Sequence, residues 1–186
     1  MKKTINYRLT GAEKQGLKTK KVSQKILQDY APDEIATLLN ASPHRAKELQ
    51  ALAEFQRIPS LGINFAEELI GQGYYSLEQL KGKPATELFN AFERHCGAWA
   101  DPCVEDSYRL LVHYIENRDD TKRWWDFTAE RKAYRKEFGF PADRPVKPWY
   151  QLTQYQKYGT VKFFCGSGTE QGIAKRTIGI SSRFYR

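Results

Sequence analysis

The segment "RIPSLGINFAEELI", residues 57–70, limits the possible folds of this chain more than any other stretch. Pro59 and Gly62 stand three residues apart between two runs whose apolar residues have helical spacing. Such a pair predicts a tight turn between two helices, because proline cannot continue the first helix and glycine tolerates turn conformations. The turn places backbone N–H groups at the start of the second helix, where the positive end of its dipole also lies. The segment therefore predicts either a phosphate site or a rigid corner that packs apolar side chains.

Helix signals recur from Val22 to Phe127, and no strand-like alternation competes with them there. Three helix starts carry a proline in the first turn, where its missing N–H is harmless: Pro32, Pro43 and Pro102. The sequence therefore predicts an all-α fold, with one compact domain over residues 22–127.

The flanks of this domain differ from it in composition. Residues 1–21 are rich in lysine, and we expect them to form a flexible basic arm. Residues 128–150 predict a basic helix that ends near Gly139, followed by an extended proline-rich stretch. Residues 151–186 are glycine-rich with little periodicity, and we expect a poorly ordered tail.

The formal net charge of +8 is distributed unevenly. Residues 1–50 carry +5, residues 51–118 carry −4 and residues 119–186 carry +7. The turn therefore lies in an acidic centre between two basic flanks. This pattern favours a polyanionic partner that contacts the flanks.

The chain has no apolar run long enough to cross a membrane and no signal-peptide pattern near its start. Its three cysteines fit reduced thiols better than a disulfide framework. We therefore expect a cytoplasmic protein that does not contact membranes.

Candidates for catalysis or metal binding are weak. The set His95, Cys96, Cys103 and His113 does not match a recognised zinc spacing. The acids Asp101, Glu105 and Asp106 begin a predicted helix, which we interpret as an N-cap followed by a solvated first turn. We therefore expect no catalytic residue, no metal, no cofactor and no small-molecule substrate.

The predicted DNA contacts combine the backbone of the turn with nearby cations. In the basic helix, four cations fall along one face and form the strongest electrostatic footprint in the chain. The candidate DNA-binding residues are Ser60, Leu61, Gly62, Ile63, Asn64, Lys122, Arg123, Arg131, Lys132, Arg135 and Lys136.

The aromatic pair Trp124–Trp125 directly follows Lys122 and Arg123. Cations interleaved with aromatic residues can stack on exposed bases. The same residues can equally form a hydrophobic clasp, with one tryptophan packed against the helical domain. The sequence favours the clasp and leaves stacking open.

Several motifs in combination resemble the pathogenicity-locus family of small helix-hairpin-helix proteins, some of which are described as mitomycin resistance proteins. The resemblance covers roughly residues 30–150. It rests on the I-P-x-h-G turn, on "SLEQLKG", on Asp101 with Cys103 and Val104, on Arg109, and on Trp124–Trp125. It implies a compact all-α helix-hairpin-helix fold and a DNA-related role with no established enzymatic activity. The chain departs from the usual family turn at Ser60, where glycine is expected.

These observations predict a non-enzymatic protein that binds duplex or branched DNA through backbone contacts, without sequence preference. The resemblance implies, in addition, a link to DNA repair or DNA-damage resistance. Ser60 and the acidic centre also allow an alternative. In it, the same fold is a scaffold for binding a protein partner and makes no direct contact with DNA.

Overall fold

A computed structural model describes residues 4–152, and every regular element in that range is a helix. The predicted all-α fold class is therefore confirmed for this part of the chain. The α-helices are α1 (Gly11–Thr19), α2 (Pro32–Leu39), α3 (Pro43–Gln56), α4 (Ile63–Gly71), α5 (Ala85–Cys96), α6 (Pro102–Asn117) and α7 (Thr128–Phe138). Short 3₁₀ helices span Gln24–Asp29, Glu78–Leu80, Trp124–Phe127 and Trp149–Gln151. No helix within residues 4–152 has the length and apolar character needed to span a membrane.

The chain divides into two compact units, with the boundary between Lys81 and Gly82. In the first unit α3 packs against α2 and α4, and in the second α6 packs against α5 and α7. The prediction of one domain over residues 22–127 is therefore wrong. Each helix group has enough buried apolar side chains to form its own core, which helix signals along the sequence do not reveal.

The core of the first unit forms around α3. Ala46, Leu49 and Ala53 lie on its buried face, at the spacing that places side chains on one side of a helix. Ile35 and Leu39 of α2 join the same cluster. Asn40 then ends α2 in a left-handed conformation, which asparagine adopts more readily than most residues.

The N-terminal segment belongs to this core. Ile5, Tyr7 and Leu9 are buried while the residues between them are exposed, so residues 4–10 alternate like a half-buried strand. Thr10 then caps α1 in a reciprocal capping box with Glu13. The predicted flexible arm over residues 1–21 is therefore wrong for residues 4–19, because their apolar side chains complete the first core.

The second unit has an aromatic core. Tyr108 of α6 is fully buried, with its ring 6.3 Å from Phe89 and 5.9 Å from Phe92 of α5. The side chain of Asp101 accepts a hydrogen bond from the backbone N–H of Cys103, which caps α6 as predicted.

The stretch after α7 returns to the connection between α5 and α6. Gly139 ends α7 with a positive φ, and no regular element follows until Trp149. The N–H of Trp99 donates to the carbonyl of Lys147, and the N–H of Trp149 donates to the carbonyl of Trp99. The poorly ordered tail predicted for residues 151–186 lies outside the described residues from position 153 onward.

Candidate nucleic-acid interface

Residues 57–62 form the turn between α3 and α4. Ser60 has a φ of +57°, in the left-handed region that favours glycine. Gly62 instead has φ −103° and ψ −176°, which is extended backbone open to any residue. The position of this turn that most favours glycine is therefore Ser60.

The apolar residues of the turn point into the core. Ile58 and Leu61 are fully buried, Ile63 and Phe65 are nearly so, and the N–H of Leu61 donates to the carbonyl of Ile58 at 3.3 Å. The turn therefore forms a corner that packs apolar side chains, which is one of the two structures predicted for this segment. Of the five predicted contact residues at this position, Ser60, Gly62 and Asn64 are partly exposed, whereas Leu61 and Ile63 are buried.

The start of α4 carries no side-chain cap. Gly62 occupies the N-cap position and has no side chain that could accept from the first-turn N–H groups. The N–H groups of Ile63 and Asn64 belong to this first turn. Uncapped first-turn donors and the helix dipole together favour an anion.

Arg8 lies directly against this first turn. Its Nη2 donates to Asn64 Oδ1 at 2.8 Å, and its Nε lies 2.6 Å from Glu67 Oε1. The side chain of Arg8 is still 44% exposed. The N-terminal segment therefore supplies the cation that residues 57–70 lack after Arg57, and it offsets the charge of Glu67.

Hydrogen bonds from α3 hold Arg8 in this position. Gln56 Nε2 donates to the carbonyl of Asn6 at 2.7 Å, and its Oε1 accepts from the N–H of Asn6 at 3.2 Å. Arg45 Nη2 donates to the carbonyls of Tyr7 and Arg8 at 3.4 and 3.3 Å. These hydrogen bonds attach the backbone of residues 6–8 to α3.

Arg45 is in turn fixed by an ion pair with Glu13, at 2.9 Å between Nε and Oε1. Burial alone would raise the pKa of Glu13, but the hydrogen bonds from Arg45 and Thr10 outweigh it and lower that pKa. Its hydrogen bond to Glu13 also raises the pKa of Arg45. Both groups therefore stay charged near neutral pH and keep the N-terminal segment attached.

The arginines of the predicted basic footprint in α7 point inward. Arg131 Nε lies 2.8 Å from Asp106 Oδ1, and Arg135 Nε lies 2.9 Å from Glu105 Oε2. Glu105 and Asp106 are 1% and 0% exposed, so the prediction of a solvated first turn is wrong for both. Their carboxylates are buried because α7 covers the start of α6 and brings arginines to them.

This ion-pair cluster has further members. Arg109 bridges Glu105 and Glu130, and Thr128 Oγ1 donates to Asp106 Oδ2 at 2.9 Å. Burial raises the pKa of Asp106, and the hydrogen bond from Arg131 only partly offsets this effect. Arg131 and Arg135 therefore stabilise the second unit, and their guanidinium groups are committed to protein carboxylates.

The lysines of α7 point outward. Lys132 and Lys136 are exposed, one helical turn apart, with the exposed Ala129 and Ala133 on the same face. Of the four predicted cations in this helix, these two are on the surface.

The two predicted cations of the loop before α7 also differ in their contacts. Lys122 is exposed. Arg123 Nη1 donates to the carbonyls of Asp120, Thr121 and Lys122 at 2.8–2.9 Å, so its side chain holds the loop together. Trp125 is 54% exposed, whereas Phe127 is buried against His113. Trp125 therefore lies on the surface, Trp124 is half-buried, and the buried aromatic residue of this segment is Phe127 rather than one of the two tryptophans of the predicted clasp.

Sequence reasoning missed Arg8, although two local signals mark its segment. "INYRL" alternates apolar and polar residues with the period of a strand, and "TGAE" has the spacing of a capping box. The surrounding lysines obscured both signals. Its contact with Asn64 joins residues 56 positions apart, and no local pattern predicts such a contact.

Within residues 4–152 no group of three or more histidine, cysteine, aspartate or glutamate side chains is arranged to hold a metal ion.

Comparison with known proteins gives one family match. Residues 48–133 match the model of the family described as pathogenicity locus. The match begins within α3, includes the turn and ends within α7, so Arg8 lies outside it. No curated protein and no solved structure matches the chain. Residues 48–133 are therefore similar to the pathogenicity-locus family, in agreement with the resemblance seen in the sequence.

Proposed function

We propose that this chain is a non-enzymatic protein that binds duplex or branched DNA through its phosphate backbone, without sequence preference. In this proposal α3, the turn and α4 act as a helix-hairpin-helix element. The first-turn N–H groups of α4 donate to one phosphate, and Arg8 supplies the cation beside it. Backbone N–H donors and a guanidinium recognise the charge and position of a phosphate, and such contacts do not depend on the base sequence.

The position of Arg8 is the observation that carries the proposal. A turn with two or three backbone donors and no cation would bind a phosphate weakly. Arg8 places a half-exposed guanidinium at the same first turn, and Gln56 and Arg45 fix the backbone that carries it. Such preorganisation favours binding because little further ordering is needed.

The charge balance supports a role for the chain ends. Residues 4–81 carry a net charge of +1 and residues 82–152 carry 0, whereas residues 1–3 carry +2 and residues 153–186 carry +5. The excess cations therefore lie at both ends of the sequence. They supply the long-range, salt-dependent attraction in this proposal, and the turn fixes the register.

Replacing Arg8 tests the proposal. Arg8→Ala should weaken binding to a labelled duplex in fluorescence anisotropy, and it should reduce the salt dependence by about one phosphate contact. Arg94→Ala is the matched control, because Arg94 is 45% exposed and pairs with Asp143 at 3.3 Å in the same way. Both exposed pairs contribute only about 0–1 kcal/mol to folding, so both variants should stay folded.

Equal binding by the two variants would contradict the role of Arg8. Absence of duplex and branched-DNA binding by the unmodified chain, even at low salt, would favour the protein-interaction alternative instead. The described link of related proteins to mitomycin resistance makes sensitivity of a deletion strain to mitomycin the corresponding test in cells.

A further inference from the structure

Trp125 is an exposed aromatic side chain that the proposed contacts at α4 do not use. It is 54% exposed, and its ring centroid lies 5.2 Å from that of Trp124 at an interplanar angle of 82°. In such a perpendicular pair, Trp124 can cover at most one face of the Trp125 ring. Trp124 therefore leaves at least one face of the Trp125 indole uncovered, and more than half of the side chain is exposed.

The loop that presents Trp125 is held by hydrogen bonds from and to the side chains of Arg123, Asp126 and Asp119. Arg123 binds three loop carbonyls through its side chain, and its N–H donates to Asp126 Oδ2 at 2.8 Å. Asp119 accepts from the hydroxyl of Thr121 at 2.6 Å and from its N–H at 2.8 Å, and also pairs with His113 at 3.1 Å.

These contacts have two consequences for ligand binding. They fix the loop before any ligand arrives, so the ordering cost on binding is small. The hydrogen bonds from Thr121 and His113 also lower the pKa of Asp119 to about 2, which keeps this anchor charged at all ordinary pH values.

We propose that Trp125 is a stacking platform for an unpaired base of single-stranded nucleic acid, with Lys122 contacting the adjacent backbone. Every base has a π-face that can stack on an indole, and proteins that bind single strands combine such aromatic side chains with cations that contact the backbone. This inference rests on the proposed nucleic-acid function and names a second ligand class for it. Unpaired bases occur at the ends and branch points of DNA, so the platform would favour branched over intact duplexes.

The test uses the full chain and an oligothymidylate as the probe. Trp125→Ala should weaken binding to the oligothymidylate by about tenfold, whereas Trp125→Phe should retain most of it because phenylalanine also stacks. Phe138→Ala is the control, since Phe138 is a similarly exposed aromatic residue in the same unit. Affinity for a blunt duplex should be the same in all three variants.

The outcomes separate this inference from the proposed function. Oligothymidylate binding that is unchanged in Trp125→Ala overturns the platform, even if Arg8→Ala weakens duplex binding. Loss of oligothymidylate binding in Trp125→Ala supports the platform, even if Arg8 has no effect on duplexes. Equal losses in Trp125→Ala and Phe138→Ala would also overturn it, because they would indicate a general apolar surface, such as one for a protein partner.

Discussion

Ser60 shows how one backbone angle shapes the turn between α3 and α4. Its φ of +57° is a conformation that costs a residue with a side chain roughly 1–2 kcal/mol relative to glycine. Glycine would also lose more conformational entropy on folding, which offsets part of this difference. The turn of this chain therefore keeps its shape with a serine, at some cost in stability.

We predict that Ser60→Gly raises the free energy of unfolding by up to about 1 kcal/mol, because relief of the left-handed strain exceeds the added entropy loss. Ser107→Gly is the control, since it places glycine inside α6 and should lower stability by a similar amount. Urea unfolding followed by circular dichroism measures both. A loss of stability in Ser60→Gly would show that the serine side chain contributes more than its backbone strain costs.

Tyr7 is a second residue whose environment has a measurable consequence. Its hydroxyl is buried and has no hydrogen-bond partner among the residues that the structure describes. Burial raises the pKa of Tyr7 from its ordinary value of 10.0 to about 12, and Arg57 only partly offsets this effect. The folded state therefore keeps the phenol protonated at pH values where the unfolded chain loses the proton.

The sign of this shift predicts a loss of stability at high pH. The contribution of neutral Tyr7 is complete below pH 10 and is lost as the pH rises toward 12. Tyr7→Phe should remove this loss, and at pH 7 it should be neutral or stabilising because no hydrogen bond is broken. Urea unfolding of both proteins at pH 7 and between pH 10 and 11.5 tests this. A large destabilisation of Tyr7→Phe at pH 7 would mean that the hydroxyl has a partner.

At the scale of elements, α7 differs from the other α-helices in how it is attached. None of its residues is buried, and its contacts with α6 include ion pairs and hydrogen bonds of Arg131, Arg135, Thr128 and Glu130. Arg135 also donates to the carbonyl of Gly139, and its guanidinium lies 4.3 Å from the ring centroid of Phe140. Ion pairs with the buried carboxylates of α6 therefore hold α7 in place, as apolar packing does for the other α-helices.

This attachment predicts opposite outcomes for two neighbouring cations. Arg135→Met leaves Glu105 buried with one fewer partner and should lower the free energy of unfolding by about 3 kcal/mol. Lys136→Met changes an exposed side chain and should alter it by less than about 0.5 kcal/mol. Urea unfolding again gives both values. Similar small effects from the two substitutions would contradict a structural role for Arg135.

The same elements show what sequence reasoning can and cannot predict. The starts of α2, α3 and α6 and the end of α7 were predictable, because Pro32, Pro43, Pro102 and Gly139 act on the backbone within one turn. The direction of Arg131 was not predictable, because the four cations of α7 are neighbours on the helix and no local pattern separates the arginines, which pair with α6, from the exposed lysines. Its burial depends on Asp106, which is 25 positions away, and only the packed fold brings the two together.

Across the whole molecule, cations that look alike in the sequence have different roles. Arg45, Arg109, Arg123, Arg131 and Arg135 hold protein groups in place, whereas Arg8, Lys122, Lys132 and Lys136 remain exposed at least in part. The excess positive charge lies in residues 1–3 and 153–186. In the proposed function, the first turn of α4 is therefore the contact that fixes the register of the protein on DNA. Without this contact, only the non-specific attraction between the charged chain ends and DNA would remain.

Duplex binding by two variants of the N-cap residue Gly62 tests whether the first turn of α4 holds a phosphate. The extended backbone of Gly62 accepts either substitution, and aspartate and asparagine are both good N-caps, so neither variant should lose stability. Gly62→Asp adds a negative charge at the proposed phosphate position and should weaken binding about tenfold at low salt, whereas Gly62→Asn should bind much more tightly than Gly62→Asp. Equal affinities for Gly62→Asp, Gly62→Asn and the unmodified chain in fluorescence anisotropy would contradict the claim and leave the turn as a structural corner only.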